Sequence, residues 1–381
     1  MRLLSVHSGN LYGGLERLLV TIVRNRACCP ELDLSFALSY EGRISRELQE
    51  LGAPVYILGA ARLRNPLSVR RARRRLTEVL AENRFDAAIC QMPWSQYVFG
   101  RALQNAGVMQ GCWLHDVPGG KHWLQRLARR VPPDFALANS NFTAGHVPLI
   151  FPDIPVFTIY PPVEPPAPPA PGEREAIRRQ LGIPPEQVVV LQTSRMEPLK
   201  GLQVLIAALA QMASDPRWRA LIVGGAQRPR EARFMARMQS AVRRHRLEQR
   251  ITFLGEREDA RRLLLAADIF VQPNIRPEGF GQVFVEAMYA GLPVVTSALG
   301  GAVEILAGDH GLLVPPASPQ ALADALQRLV QDEHARASYR ARGPLRAAQL
   351  CSPATQVTRL LSALRLVTHG AERQQGAAQA S

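Results

Sequence analysis

Between Tyr160 and Glu175 the chain reads YPPVEPPAPPAPGERE, and the prolines from Pro161 to Pro171 can sustain neither a helix interior nor a central strand. The segment therefore reads as a stiff extended linker that splits the chain in two. At 381 residues, 47% of them apolar, the sequence has enough length and enough core-forming side chains for a hydrophobic interior on each side of that split. Upstream, RLLSVHS, LSFALSY, APVYILG, FDAAICQ, GCWLHD and FALANS alternate with helical stretches. Downstream, VVVLQTS, RALIVGG, ITFLG, DIFVQP and PVVTSA repeat the rhythm. This alternation predicts an α/β chain of two Rossmann-like, doubly wound domains, residues 1–163 and 164–350. Ligands of such sheets collect beyond the carboxyl ends of the strands. From Cys351 to about His369 the segment containing VTRLLSALRLV reads as a further helix, and AERQQGAAQAS after it reads as a frayed tail.

Three strand-to-helix loops carry chemistry. In RPEGFGQVFVEAMYAGLP, Arg276 to Pro293, the preceding DIFVQP reads as a buried strand ending at Pro273, and a turn runs from Asn274 to Gly281. A helix is predicted from about Gln282 to Ala290, stopped by Gly291 with Pro293 just beyond. Its first turn offers unpaired N–H groups and the positive end of the helix dipole, which favour phosphate. Glu278 lies in the loop before those amides and Glu286 a little more than one turn inside, with seven residues between them. One acid can reach a hydroxylated ring on one side of a diphosphate and the other a ribose on the opposite side. Taken alone, either Glu is equally an ordinary helix or helix-start residue. In VVVLQTSRMEPLKGLQVLIAAL, a strand, a short loop and a helix opened by Gly201 place Arg195 and Lys200 where two cations can neutralise a pyrophosphate. In HSGNLYGGLERLLVTIVRN, Gly13 and Gly14 permit a tight turn, with Glu16 near the following helix start. The pattern is not GxGxxG, which disfavours a nicotinamide enzyme. His115 and Asp116 end the strand GCWLHD. A lone histidine is commonly a structural hydrogen-bonding residue, but this one opens into the glycine-containing loop VPGGKHW.

These loops together carry a resemblance. EGFGQVFVEAMYAGLPVV fills every position of the signature of the retaining glycosyltransferases of family 4, and the similarity extends through Gly300, Gly301 and Glu304. Arg195 to Gly201 fits the family's RxxxxKG, and Gly13, Gly14 and Glu16 fit its GGxE. The resemblance covers nearly the whole chain and is most specific in the second half. It implies the GT-B fold, two Rossmann-like domains facing a cleft, with the C-terminal helix returning to the first domain. It implies that Arg195 and Lys200 hold the donor phosphates, and that Gly13, Gly14, Glu278, Gly279, Phe280, Gly281 and Glu286 complete the donor site. His115 would face the transferred sugar, with Glu16 and Asp116 on the acceptor side. The implied catalytic group is His115, Arg195, Lys200 and Glu278. The implied chemistry is front-face substitution through an oxocarbenium-like state, with no protein nucleophile and with the departing oxygen taking the acceptor's proton. UDP- or GDP-activated hexoses would be donors, and a glycan or lipid-linked glycan of bacterial surface polysaccharide or glycolipid synthesis the acceptor.

No DxD pair is present, so the expectation is a metal-independent enzyme with no cofactor beyond its donor. The five cysteines show no zinc spacing and read as thiols of a reducing cytoplasm. MRLLSVHSGN lacks the apolar core of a signal peptide, and no apolar run reaches bilayer length. The net charge is +14, with arginine concentrated in ARLRNPLSVRRARRRLTEVL, where Val69, Ala72, Leu76 and Val79 share one helical face, and in KHWLQRLARR. Two readings stay open for these segments: ordinary surface helices, or reversible attachment to the anionic inner face of the cytoplasmic membrane. A pI near 10.5 also admits a non-catalytic polyanion or nucleic-acid binder, but no nucleic-acid motif accompanies it. Nucleotide-sugar epimerisation on the same fold is the nearer alternative.

Overall fold

A computed structural model of the chain describes residues 1–9, 12–62 and 64–379, the stretch 370–379 by its backbone alone. Contacts divide it into a first unit, residues 1–164 with the segment from Cys351 onward, and a second unit, residues 165–350.

The first unit is built on seven strands: β1 (Arg2–His7), β2 (Asp33–Leu38), β3 (Val55–Ile57), β4 (Ala87–Gln91), β5 (Met109–Leu114), β6 (Phe135–Ala138) and β7 (Val156–Thr158). Every pairing is parallel and the order is β3-β2-β1-β4-β5-β6-β7. Helices must cover both faces of such a sheet, which is why its central strands are apolar without alternation. On one face, Leu18, Leu19 and Ile22 of the helix Gly14–Arg24 pack with Val357, Leu360, Leu361 and Leu364 of the helix Pro353–Gln379. Burying each of those C-terminal leucines contributes roughly 1.5–3 kcal/mol. That helix continues to Gln379, through residues that read as frayed in the sequence. On the other face the helix Pro66–Glu82 buries Val69, Ala72, Leu76 and Val79, the apolar stripe foreseen from their spacing. The order reverses between β1 and β4, so the loops leaving those strands diverge there and open a crevice at their carboxyl ends.

The second unit has six parallel strands: β8 (Val188–Thr193), β9 (Trp218–Val223), β10 (Ile251–Gly255), β11 (Ile269–Gln272), β12 (Val294–Ser297) and β13 (Leu312–Val314). Their order is β10-β9-β8-β11-β12-β13, with the reversal between β8 and β11. Val190, Ile222, Ile269 and Val271 of the sheet pack against Leu205, Leu209, Leu322 and Leu326 of the helices above it. The edge strands β7 and β13 were not legible in the sequence. Each has three residues, too few to show a period; β3, equally short, was read only as part of the longer run APVYILG. Among the described residues no helix is long and apolar enough to cross a membrane. Of the cysteines, Cys28 is exposed and the other four are buried, all as free thiols.

Candidate active site

The reversal in the second unit brings the loops after β8, β11 and β12 together. The β8 loop is stitched to the β11 loop by the Ile275 amide, which donates to the Leu199 carbonyl at 2.9 Å. Gly201 allows this approach: its φ is +76°, and a Cβ there would run into the Pro273 carbonyl. The third loop closes on the second through the Gly301 amide, which donates to the Glu278 carbonyl at 3.0 Å.

At this junction Lys200 Nζ donates to Glu278 Oε1 at 2.7 Å. The other carboxylate oxygen, Oε2, accepts from Asn274 Nδ2 at 2.9 Å and from Gln272 Nε2 at 3.3 Å. Gln272 also donates to Asn274 Oδ1 at 3.1 Å, which fixes the orientation of both amides. Burial works to raise the pKa of Glu278, but the Lys200 ammonium, the Asn274 amide and the field of Arg195 together hold it below the usual carboxylate range. Glu278 is therefore an anion and a hydrogen-bond acceptor at neutral pH. With both lone pairs of Oε2 engaged, Oε1 keeps one for an outside hydroxyl. Arg195 is half exposed and pairs with the buried Glu197 at 3.1 Å. Two cations and two carboxylates thus sit together with no net charge.

The helix Gln282–Tyr289 begins beside this cluster, capped by Gly281 at φ +104°, where a side chain would strike the Phe284 ring. Phe280 is buried and anchors the turn. Glu286, one turn inside, has its carboxylate largely covered and meets Arg261, whose Nη2 and Nε lie 2.7 and 3.1 Å from Oε1. Lys200 and Glu278 are thus in contact, Arg195 acts on Glu278 through its field, and Glu286 turns to Arg261.

In the first unit, Gly13 precedes the helix Gly14–Arg24, and its amide donates to Glu16 Oε2 at 2.8 Å. Glu16 is buried, with Oε1 2.9 Å from His7 Nε2. Burial opposes its ionisation, but the His7 imidazole and the Gly13 amide keep its pKa lowered. Its carboxylate thus fastens the glycine turn to the end of β1. Tyr12, next to that turn, is fixed from outside: its hydroxyl donates to Glu47 Oε2 at 2.5 Å while the Arg43 guanidinium lies 4.2 Å from its ring centroid.

His115 stands just past β5, half-buried, with its ring 5.2 Å from that of Trp113. Its Nε2 is 2.9 Å from Gln91 Oε1, and Gln91 Nε2 donates onward to Ser5 Oγ at 3.0 Å. Desolvation, with the neighbouring His7 adding to it, pushes its pKa from the ordinary 6.5 down to about 3. The imidazole is neutral at physiological pH, and with Nε2–H given to Gln91 its Nδ1 is an acceptor. Asp116, the next residue, is exposed.

Residues 173–346 match the family model described as Glycosyl transferases group 1. Over 96% of this chain and 100% of the other, the structure is similar to Anabaena Alr3699/HepE in complex with UDP, at a TM-score of 0.84 and 25% identity. The second unit thus carries the pattern of the group 1 glycosyl transferases, on a fold shared with solved GT-B structures. Among curated group 1 relatives, a GDP-mannose-dependent monoacylated alpha-(1-6)-phosphatidylinositol monomannoside mannosyltransferase of Corynebacterium glutamicum is 31% identical over 60% of each chain. A D-inositol 3-phosphate glycosyltransferase of the same species is 38% identical over 42% of this chain and 40% of its own length. The chain thus spans about two fifths of the inositol 3-phosphate relatives it matches.

Five residues escape a sequence reading: Gln272, Asn274 and Arg261 in the second unit, Gln91 and His7 in the first. Gln272 and Asn274 lie at the end of DIFVQPN, where two amides around a proline were the available signal. Gln91 and His7 act on partners that only the strand order brings near.

Proposed function

We propose that the chain transfers a hexose, with retention, from a nucleoside diphosphate sugar to a hydroxyl of a lipid-linked or glycan acceptor. The observation that carries this reading is the Lys200–Glu278 contact at 2.7 Å, beside the start of the helix Gln282–Tyr289 and within the field of Arg195. A diphosphate set against Lys200, Arg195 and the amides of Gly279, Phe280 and Gly281 would place the sugar next to the free lone pair of Glu278 Oε1. Glu286 takes the ribose, with Arg261 yielding to it. Arg195 is the mobile member, because it is half exposed and can exchange Glu197 for phosphate. As the bond to the leaving oxygen stretches, negative charge grows where Lys200 and Arg195 already stand. Glu278 and Glu286 are both given to donor hydroxyls, unlike the carboxylate pair of a retaining glycosidase, so the departing phosphate oxygen receives the acceptor's proton. His115, uncharged, accepts a hydrogen bond from a hydroxyl of the transferred sugar through Nδ1, and Gly13 and Gly14 border the phosphates.

Protein cations take the place a divalent ion holds in other transferases, so activity should persist in chelator. The relative acting on a phosphatidylinositol mannoside with GDP-mannose supports a lipid acceptor and a GDP donor. The UDP-glucose complex of Alr3699/HepE, at a TM-score of 0.82, supports a UDP donor instead. For a lipid acceptor, the exposed Trp123 with Lys121 and Arg126 supports attachment to the inner membrane face. The test is to incubate the purified chain with UDP- and GDP-hexoses, with and without a lipid extract as acceptor. Acceptor-dependent release of nucleoside diphosphate is expected. A changed sugar nucleotide without acceptor would give the epimerase reading, and no binding or turnover of any donor would remove both.

A further inference from the structure

The helix Pro229–Arg244 lies outside every element the reaction uses. Its inward side carries Phe234 and Val242, both buried. Glu231, the only acid of this helix, is buried as well and accepts the Gln227 amide at 2.8 Å. The outward side carries Arg230, Arg233, Arg237 and Arg244, all exposed. Their spacings of three, four and seven put them on one stripe of the helix, on the order of 20 Å long. Arg243 is exposed too, and the remaining exposed positions, Pro229, Ala232, Ala236 and Ser240, carry no charge. Among the described residues none of these arginines has a carboxylate partner. The arginine-rich helix of the first unit differs in part: Arg74 and Arg75 both bond Glu78 and Arg73 is engaged by the carbonyls of Tyr97 and Val98, leaving Arg70 and Arg71 exposed.

We propose that this stripe is a docking surface for an anionic lipid bilayer, an inference that rests on the lipid-linked acceptor proposed above. A straight line of guanidinium groups on one side of one helix meets a flat, phosphate-bearing surface at all four positions at once. A curved or acidic protein partner would engage only part of it. No large apolar side chain is exposed on this side, so the attachment is electrostatic, without insertion, and yields to salt. Each arginine strengthens partition roughly fivefold near an anionic leaflet. The four together are expected to be worth nearly three orders of magnitude.

The experiment is sedimentation of the full chain with phosphatidylcholine vesicles, with and without about one third phosphatidylglycerol, at low and physiological salt. The chain should pellet with the anionic vesicles alone. A variant with Arg230, Arg233, Arg237 and Arg244→Gln should lose at least tenfold in partition while keeping its melting temperature. A control with Arg26, Arg84, Arg101 and Arg179→Gln carries the same change in net charge and should lose much less. Equal losses in the two variants, or none in the first, would overturn the stripe while leaving a membrane-bound enzyme intact. No preference of the unaltered chain for anionic vesicles would overturn membrane docking altogether, with sugar transfer to soluble acceptors measured separately. Tighter retention on duplex DNA than on vesicles, lost in the first variant, would also overturn the bilayer as occupant.

Discussion

The two units share one doubly wound plan and use its strand ends in opposite electrostatic ways. In the second unit the junction of three loops is built from ions: Lys200 against Glu278 and Arg195 against Glu197. In the first, the residue best placed for chemistry is an imidazole kept uncharged, with an amide and a hydroxyl behind it. Phosphate needs charge to hold it and to stabilise its departure. Hydroxyl groups need directional neutral partners, which cost less to desolvate. The same frame can therefore supply a grip for an anion and a template for a sugar by changing which side chains follow its strands.

The largest test of that contrast is Lys200→Ala. Turnover should fall by about 10²–10³-fold, measured as nucleoside diphosphate released, with the melting temperature followed in parallel because Glu278 loses its main cation. Turnover close to that of the unaltered chain would break the ionic half of the comparison. Next is Gln91→Glu, which sets a carboxylate beside His115 and should bring its pKa back toward neutrality. In the unaltered chain, kcat should show no limb from His115 between pH 5 and 8. In the variant an acid limb should appear there, with activity at pH 6 about tenfold below that at pH 8.

The same neutral imidazole has a thermodynamic signature. As pH falls below about 6.5 the unfolded chain takes up this proton and the folded chain does not. Stability should decline from there and level off near pH 3, where the folded ring also titrates; denaturant midpoints across that range would check it.

Asn274→Ala should be milder, about tenfold in kcat/KM. Because a donor that lowers the Glu278 pKa is lost, the acid limb should move to higher pH, and Asn274→Ser should restore part of it. A loss of activity with an unmoved limb would sharpen the role of Asn274 into packing alone. The smallest effect belongs to Tyr12→Phe, which deletes the hydroxyl bound to Glu47, whose partner and partial burial raise the Tyr12 pKa to about 12. About 1 kcal/mol of stability should be lost, with donor affinity changed less than threefold.

Legibility followed locality. The strand–helix alternation, the extended proline run and the helix Gln282–Tyr289 with its glycine stop were readable because each is written in a few consecutive residues. The strands β7 and β13 were not, and β3, as short and also at an edge, was legible only through the longer run APVYILG around it; the length of the last helix was hidden by its small, polar composition. Lys200 and Glu278, 78 positions apart, were each marked by a local motif, so their meeting could be foreseen without knowing the register. Gln91 and Ser5, 86 positions apart, belong to no motif and meet only because β1 and β4 pair directly. The partner of Glu286 was missed for the same reason: Arg261 stands in a short helix whose place beside Gln282–Tyr289 is decided by the sheet and not by spacing along the chain.

The pairing of Arg195 with Glu197 and of Lys200 with Glu278 bears on how a donor is captured. Opposite ions a few ångströms apart look like dipoles from outside, and their potential fades much faster with distance than that of a lone cation. These four side chains therefore cannot draw a dianion in from bulk solvent. In the proposed reaction they would recognise it on arrival, with Arg195 exchanging its carboxylate for the incoming phosphate, so ionic strength should alter the encounter rate far more weakly than the chain's overall positive charge would suggest.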